Sequence, residues 1–410
     1  MKIFLRNKYT IYFLIYLTFI ASFIFEENSS GGSRKDFFAM QIYYEQISIN
    51  IIEGINFFIE NGQGHSPVFY IIKSIFENSL NKFISDLIFL SLGFLIPLVF
   101  YSILKKKFRG LNKNLLLCIS IILYLSPYLR SSAAWATNDN LAVLFFILSI
   151  SKFFTFKKNL YNSKDIFLCF FYIIIATYIR QYYIMIILIY FFLLYKNVNI
   201  GLFIYLILFI SILLIPGFLY TYNYFLINFD YATKGFAKPD FIFNFLIFFN
   251  MFLFYIFPFF FSFESYKIIK NFYLSQKFLL LFLSVTFVYI FFNYNLPENQ
   301  FGGGIHYKIY QFLDSKLFFI STAFVGLLLA LSTINLNLRN FLILVTFFLM
   351  FPFAIIYQKY YDPILIIIFF GLIQSDLIYE KIKLKKINMT LVFIYFFIFL
   401  IGSNVYYLST

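Results

Sequence analysis

The fold is decided by one long polar stretch in an otherwise apolar chain. Residues 26–67 read EENSSGGSRKDFFAMQIYYEQISINIIEGINFFIENGQGHSP and lie between two apolar segments. Ordinary connections take only a handful of residues, so a loop of this length has a structure of its own. Asp36 follows a Ser/Gly turn and opens an amphipathic run that closes near His65. The pattern predicts a pair of amphipathic surface helices that carry a carboxylate over a membrane-embedded pocket.

The rest of the chain has the composition of an integral membrane protein. Hydrophobic residues make up 62% of the 410 residues, charged residues 12%, and the mean hydropathy is +0.84. Apolar runs of roughly twenty residues recur from end to end, which predicts an all-α, polytopic transmembrane helical bundle. We expect one integral-membrane domain over residues 1–410, with the first outward loop at 26–67, N-terminal spans in 68–264 and C-terminal spans in 265–410. We place about thirteen spans, at residues 9–25, 83–104, 114–129, 138–154, 165–178, 181–196, 200–220, 241–263, 278–294, 316–334, 341–357, 361–378 and 389–408.

The distribution of charge predicts the orientation of the chain. With the N-terminus in the cytoplasm, 21 of the 32 Lys and Arg residues fall on the inner side, but only 4 of the 18 Asp and Glu residues do. A basic excess on cytoplasmic loops orients membrane proteins, so the net charge of +14 does not indicate a nucleic-acid partner. No small-x-small cleavage site follows the first apolar run, and we expect an uncleaved first span. The expected location is a bacterial plasma membrane, or the endoplasmic reticulum membrane if the source is eukaryotic.

Cysteine and histidine usage gives little support for a metal or a disulfide. Cys118 and Cys169 both lie inside apolar spans, and His65 and His306 are the only histidines. Two separate histidines without an acidic partner at ligand spacing are a weak pattern for zinc. We therefore expect no cofactor and no metal.

The outward segments hold most of the chemical variety, and each candidate has an ordinary alternative. Arg180 separates two short apolar runs, and its guanidinium either reaches lipid headgroups or clamps a phosphate. Lys359 and its tyrosine neighbours are either an interfacial aromatic belt or a second cationic site. Asp139 is either a helix cap or a substrate ligand. Near His306, three consecutive glycines form either an anion-binding turn or a lid.

Together, these side chains favour the transfer of a sugar from a lipid phosphate. Because a phosphate leaving group needs no general acid, cations that stabilise its charge suffice. The acceptor hydroxyl needs a base, which a carboxylate supplies. The predicted donor-phosphate ligands are Arg180, Lys359, Arg130 and Lys308. The predicted substrate-binding residues are His65, Asp139, Gln181, His306, Tyr307, Gln358, Tyr361 and Asp362.

Three short motifs resemble the GT-C superfamily of polyprenyl-phosphate-sugar-dependent membrane glycosyltransferases. In particular, they resemble the alpha-1,2-glucosyltransferase that completes the dolichol-linked oligosaccharide, and its bacterial look-alikes. The motifs are Tyr178-Ile179-Arg180-Gln181, Gln358-Lys359-Tyr360-Tyr361-Asp362-Pro363 and the segment from Ser126 to Ala142. The resemblance implies a multi-span bundle whose first outward loop carries surface helices and the catalytic acid.

The chain departs from that family at the acid itself. Counting back from the glycine of Ile51-Ile52-Glu53-Gly54, the family's Asp-Glu pair falls on Met40 and Gln41. Asp36 is the first replacement, because residues four apart share one face of a helix, and Glu45 is the second. The expected activity is that of an inverting glycosyltransferase acting on an acceptor hydroxyl of a glycan, a lipid or a protein. A flippase or transporter of lipid-linked saccharides and a catalytically inactive GT-C-like subunit are the alternatives.

Overall fold

The computed structural model describes residues 8–61, 66–158, 162–195, 198–227, 240–261, 273, 276–297, 302–351 and 355–408. These residues form helices and connecting turns, and no strand occurs among them. The predicted all-α class is therefore confirmed.

Nineteen α-helices follow one another along the described residues. In chain order they are α1 (Lys8–Ile24), α2 (Ser33–Ile49), α3 (Ile51–Glu60), α4 (Val68–Leu80), α5 (Lys82–Lys107), α6 (Lys113–Ile121), α7 (Pro127–Ala134), α8 (Asn138–Lys158), α9 (Ser163–Ile179), α10 (Ile184–Leu194), α11 (Ile200–Ile227), α12 (Phe241–Ile256), α13 (Lys277–Asn293), α14 (Gly304–Leu313), α15 (Lys316–Thr333), α16 (Leu338–Leu349), α17 (Ile364–Gly371), α18 (Asp376–Lys383) and α19 (Met389–Leu408). Short 3₁₀ turns occupy Ile122–Leu125, Gln181–Tyr183, Phe257–Phe260 and Gln358–Tyr360.

The chain divides into two compact units. The first unit comprises Met1–Arg109, Leu116–Gly235 and Phe396–Thr410. The second unit comprises Gly110–Leu115 and Phe236–Tyr395.

Several helices have the length and composition to cross a membrane. Among the described residues, six qualify, namely α5, α8, α11, α12 with the 3₁₀ turn after it, α15 and α19. Two bent pairs raise the number to eight if each pair is one span, and four further apolar helices are shorter. This confirms several apolar, membrane-type helices. It does not confirm thirteen spans, because a helix that crosses the hydrocarbon core needs about 20 residues.

The segment after the third of the predicted spans is more helical than expected. Residues 130–137 were predicted to be an outward loop, but α7 occupies most of them. Ser126 caps this helix by accepting a hydrogen bond from the Leu129 amide, and Pro127 occupies its first turn. The helix ending at Leu125 and α7 meet at an angle of 59°. A local cap therefore starts a new helix at a site where composition alone indicates a loop.

The long polar stretch contains two helices, α2 and α3, which are separated at Asn50. The Asn50 backbone is extended, and its side chain accepts hydrogen bonds from the Ile52 and Glu53 amides. Gly54 lies inside α3 against α2, since a Cβ atom there would come within 2.5 Å of the Ile47 Cα. A further helix, α4, follows the loop and was not predicted. Residues 26–67 therefore hold two helices, and the third, α4, begins at Val68 directly after them.

Candidate active site

The first unit contains a cleft between α2, α4 and the turn that precedes α8. The cleft is partly open, and the space between its walls, including the part open to solvent, is about 340 Å³. Its walls carry aromatic rings together with a carboxylate, an ammonium, an amide and a hydroxyl. The lining residues are Asp36, Phe37, Met40, Tyr44, Phe69, Tyr70, Lys73, Ala136, Thr137 and Asn138.

Asp36 reaches the cleft from the first turn of α2. A helix N-terminus attracts negative charge, and Asp36 places its carboxyl group there. Met40 lies one turn further along and lines the same cleft, as its spacing from Asp36 predicts. The polar group at this wall is therefore the Asp36 carboxylate, whereas the position that the resemblance assigns to an acid presents a thioether.

Glu45 lies elsewhere on α2. Its side chain is exposed and accepts a hydrogen bond of 2.8 Å from the Gln41 amide, and it does not line the cleft. The structure therefore brings only the first of the two predicted catalytic acids to this cleft.

Arg180 and Asp139 form an ion pair beside this region. The Arg180 Nη2 and Asp139 Oδ1 atoms are 2.7 Å apart, and the guanidinium side chain is 11% exposed. Arg180 lies just past the end of α9, where the backbone becomes extended, and Asp139 lies in the first turn of α8. Asp139 therefore lies at a helix start, as its ordinary alternative predicts, and it also pairs with a cation, while its role as a substrate ligand stays a prediction.

Tyr70 of α4 lies close enough to feel the charges of both the ion pair and Asp36. Burial is the main reason that the pKa of the Tyr70 phenol is raised. The positive charge of Arg180 opposes this rise, and the negative charges of Asp36 and Asp139 add to it. All three charged groups thus act on one buried hydroxyl that lines the cleft. They come from three different helices, α2, α8 and α9.

Lys73 is a site residue that sequence reasoning missed. Its side chain is 3% exposed, and its Nζ atom lies 3.3 Å from Asp86 and 3.8 Å from Glu77. The same ammonium lies 4.7 Å from the centre of the Phe37 ring, which lines the cleft. The spacing of Lys73 and Glu77 on one helix face was a usable signal, but the Asp86 contact depends on how α4 and α5 pack.

Arg130 was predicted to bind the phosphate of the sugar donor, but in the structure its guanidinium contacts neighbouring protein groups. Its guanidinium pairs with Glu27 at 3.0 Å and donates hydrogen bonds to Thr18 and Ser22. Burial alone would raise the pKa of Glu27, but the charge and hydrogen bonds of Arg130 outweigh burial and lower it. The Trp135 indole donates to the Glu27 carbonyl at 3.1 Å. These contacts hold α7 against the end of α1. Binding of the donor phosphate by Arg130 stays a prediction.

Two further residues, Gln181 and His65, were predicted to bind substrate in this part of the chain. Gln181 is exposed at the start of the 3₁₀ turn after Arg180. His65 lies outside the described residues.

In the second unit, Gln358 lies at the centre of a buried network. Its side-chain oxygen accepts a 3.1 Å hydrogen bond from the Ile305 amide, and its side-chain nitrogen donates a 2.9 Å hydrogen bond to the Tyr255 hydroxyl. The Gly303 amide donates to the Ile356 carbonyl at 2.7 Å. Gly302 has a φ of +91°, and a Cβ atom there would come within 2.5 Å of that carbonyl oxygen. The glycine turn therefore allows two backbone segments to approach closely, and one of its amides already serves that contact.

The other predicted residues of the second unit are buried or half-buried. The Tyr307 hydroxyl donates to the Pro297 carbonyl at 2.5 Å, and His306 packs against the rings of Phe254 and Phe318. Burial lowers the pKa of His306 to about 4 and also lowers the pKa of Lys308. The remaining three are placed as follows: Lys359 is 5.8 Å from the ring centre of Tyr357, Tyr361 is fully buried, and Asp362 is 3% exposed.

Metal ligation has no clear candidate in the part of the chain that the structure describes. No group of three or more His, Cys, Asp or Glu side chains converges there, and both cysteines are buried thiols.

Comparisons with protein-family models, with curated proteins and with solved structures found no match for this chain. The function must therefore be inferred from the geometry of the first unit's cleft.

Proposed function

We propose that this protein is an inverting membrane glycosyltransferase that moves a sugar from a polyprenyl-phosphate carrier to an acceptor hydroxyl. The observation that carries the proposal is the cleft itself. A carboxylate at a helix start, Asp36, and the Arg180–Asp139 ion pair act on the same buried Tyr70 hydroxyl. A base and a cation close to one another are the two groups that this reaction requires.

The chemistry follows from these two groups. The Asp36 carboxylate accepts the proton of the acceptor hydroxyl while the acceptor oxygen attacks the anomeric carbon of the donor sugar. The bond between that carbon and the phosphate oxygen breaks, and the electron pair leaves with the polyprenyl phosphate. Attack opposite the leaving group inverts the anomeric configuration.

Arg180 would bind the phosphate and stabilise its developing charge. A guanidinium has five N–H donors in a planar fork, so it can hold Asp139 and a phosphate oxygen together. Asp139 would then set the orientation of the fork. Stabilising charge that develops in the transition state contributes a few kcal/mol for each well-placed group.

The surroundings of the cleft suit a sugar substrate. Phe37, Tyr44, Phe69 and Tyr70 supply aromatic faces, and Asn138 and Thr137 supply hydrogen-bonding groups. Mostly apolar walls with a few placed polar groups are typical of small-molecule sites. A greasy carrier explains why such a site belongs to a membrane protein.

The finer membrane topology is part of the same proposal. Thirteen spans, a cytoplasmic N-terminus and an extracytoplasmic cleft agree with the distribution of Lys and Arg along the sequence. The plasma membrane of a bacterium is the expected location.

Trp135 provides a direct binding assay, since it is the single tryptophan of the chain. Its ring lies 5.6 Å from that of Phe37, and its neighbour Ala136 lines the cleft. The protein is reconstituted in lipid nanodiscs and titrated with a polyprenyl monophosphate while tryptophan emission is recorded. We expect saturable binding that weakens on the order of tenfold or more in Arg180→Ala, because a charge-assisted contact is lost.

Turnover is measured as release of polyprenyl phosphate from polyprenyl-phosphate hexoses with a panel of saccharide and lipid acceptors. We expect Asp36→Asn to bind the lipid phosphate normally and to lose on the order of 10² to 10⁴ in rate, as when a general base is removed. Glu45→Gln is the matched control on the same helix and should retain activity. Binding without turnover in the wild type would favour an inactive subunit, and transport without sugar transfer would favour a flippase.

A further inference from the structure

The Tyr178 hydroxyl bridges two backbone groups of a neighbouring helix. Tyr178 lies in the last turn of α9 and donates a 2.6 Å hydrogen bond to the Leu213 carbonyl of α11. The same hydroxyl accepts a 3.0 Å hydrogen bond from the Gly217 amide. In a regular α-helix, an amide bonds directly to the carbonyl four residues earlier, which is this same pair of groups. A side chain from one helix therefore joins the hydrogen-bonding ladder of another.

Pro216 explains why the backbone hydrogen bonds of α11 are open to the Tyr178 hydroxyl at this point. Proline has no amide hydrogen, and its ring clashes with the carbonyl four residues earlier, so it disturbs the ladder of α11 where it occurs. A hydroxyl can donate and accept at once, which lets it satisfy a carbonyl and an amide together. Phenylalanine at position 178 would keep the aromatic ring and lose both hydrogen bonds of the hydroxyl.

Gly217 lets the Tyr178 ring come this close. A Cβ atom at residue 217 would lie 3.0 Å from the ring carbon Cε1. Glycine weakens a helix interior by about 1 kcal/mol relative to alanine. The Pro216-Gly217 pair in α11 and Tyr178 in α9 therefore form one fitted contact, which we call the Tyr178 clamp.

The clamp lies next to the proposed phosphate ligand. Only Ile179 separates Tyr178 from Arg180, and α9 ends at Ile179. The position of the guanidinium depends on where this helix end is held, on one side by Asp139 of α8 and on the other by the clamp to α11.

We propose that Tyr178 is a positioning residue, which fixes the end of α9 against α11 and so holds Arg180 where it can bind the phosphate of a polyprenyl-phosphate donor. The proposal builds on the proposed function, since it concerns the same phosphate site. Small displacements of a binding group reduce rates and affinities strongly, which gives a remote hydroxyl a measurable effect.

The test variant is Tyr178→Phe, and Tyr172→Phe of the same helix is the matched control. Tyr172 makes ring contacts with Phe145 and Phe171. Polyprenyl monophosphate is titrated into each reconstituted protein with Trp135 emission as the signal. We expect Tyr178→Phe to weaken binding about tenfold and to raise the KM for the donor more than it lowers kcat, whereas Tyr172→Phe behaves as the wild type.

A second variant separates positioning from general loss of stability. Gly217→Ala keeps the hydroxyl and raises helix propensity, but its Cβ pushes the Tyr178 ring away. We expect a weaker effect in the same direction, about threefold, with no loss of thermal stability. Wild-type affinity in both Tyr178→Phe and Gly217→Ala, with Arg180→Ala clearly impaired, would overturn the proposal and leave the proposed function intact.

Hydrogen exchange tests the clamp without any ligand. In Tyr178→Phe, the amides of residues 213–220 should exchange faster than in the wild type, because the Gly217 amide loses its partner. Unchanged exchange there would overturn the clamp itself. Absence of lipid-phosphate binding in the wild type, with faster exchange in the variant, would instead overturn the proposed function and with it the role assigned to Tyr178.

Discussion

The two units use polar side chains in opposite ways. In the first unit, Asp36 and Lys73 line an open cleft, and the Arg180–Asp139 pair acts on the Tyr70 wall of that cleft. In the second unit, Gln358 is buried, and both ends of its amide are used by neighbouring groups. The sequence singles out Asp36, Arg180 and Asp139 in the first unit and Gln358 in the second in the same way, as polar residues of outward segments. The comparison shows that polar residues in an apolar chain are available for binding only where the fold leaves space beside them.

The largest effect that we expect from this comparison is in the first unit. Lys73→Met leaves Glu77 and Asp86 close together without their shared cation. Loss of one partner from a buried ion pair costs about 3 kcal/mol or more, so the variant should unfold at a clearly lower temperature. Lys105→Met is the control, because Lys105 is exposed and contacts the Tyr101 ring. Thermal unfolding in detergent provides the measurement.

A double variant sharpens this prediction. Lys73→Met combined with Asp86→Asn removes one charge of each sign and should recover part of the lost stability. If Lys73→Met unfolds as the wild type does, the lysine has no structural partner in the cleft wall, and its assignment is wrong.

The second prediction probes the network of the second unit. Gln358→Leu introduces an apolar side chain of similar size, and it leaves the Ile305 amide and the Tyr255 hydroxyl without the Gln358 amide as a partner. Unpaired buried groups of this kind cost about 1 to 3 kcal/mol, so we expect a loss of about 2 kcal/mol in the free energy of unfolding. Unfolding by denaturant measures it, with Asn337→Ala at an exposed position as a milder control. Unchanged stability together with lost lipid-phosphate binding would show that Gln358 is a ligand instead of a structural residue.

The effect that we expect to be smallest at neutral pH concerns His306, and it grows as the pH is lowered. Burial lowers its pKa from 6.5 to about 4, so the unfolded chain takes up a proton more readily than the folded protein. Stability therefore does not depend on this group above pH 6.5 and falls as the pH is lowered from 6.5 towards 4, by about 1.4 kcal/mol for each pH unit.

His306→Phe should remove that part of the pH dependence, because phenylalanine fits beside Phe254 and Phe318 and does not titrate. Denaturant unfolding between pH 7 and pH 4.5 compares the two proteins. Identical slopes would mean that water reaches the imidazole, and the burial of His306 would be wrong.

Part of the cleft was predictable from local rules. Short-range patterns predicted a helix that opens near Asp36, the face that Asp36 shares with Met40, and a polar site around Arg180. In the structure that helix begins three residues before Asp36, at Ser33. Asn50 is a signal that sequence reasoning passed over, since an Asn followed by an amphipathic run is a good helix cap.

Other parts could not be predicted because they depend on packing between distant helices. The pairing of Arg130 with Glu27 joins two segments a hundred residues apart in the chain, and nothing in the local pattern of either specifies it. Tyr178 is similar, since its partners are backbone groups of another helix whose accessibility depends on Pro216.

Hydrophobicity and helix periodicity are local properties that need no knowledge of packing partners, and they were sufficient to predict the all-α class, which the described residues confirm, and several membrane-type helices. They also located the polar stretch in which Asp36 lies in the first turn of a helix. By contrast, packing between helices determines that Asp36 reaches the cleft that Lys73 also lines, that Arg180 lies near Tyr70, and that Gln358 is enclosed. Those outcomes depend on which helix faces approach each other, and that approach is a property of the packed chain as a whole.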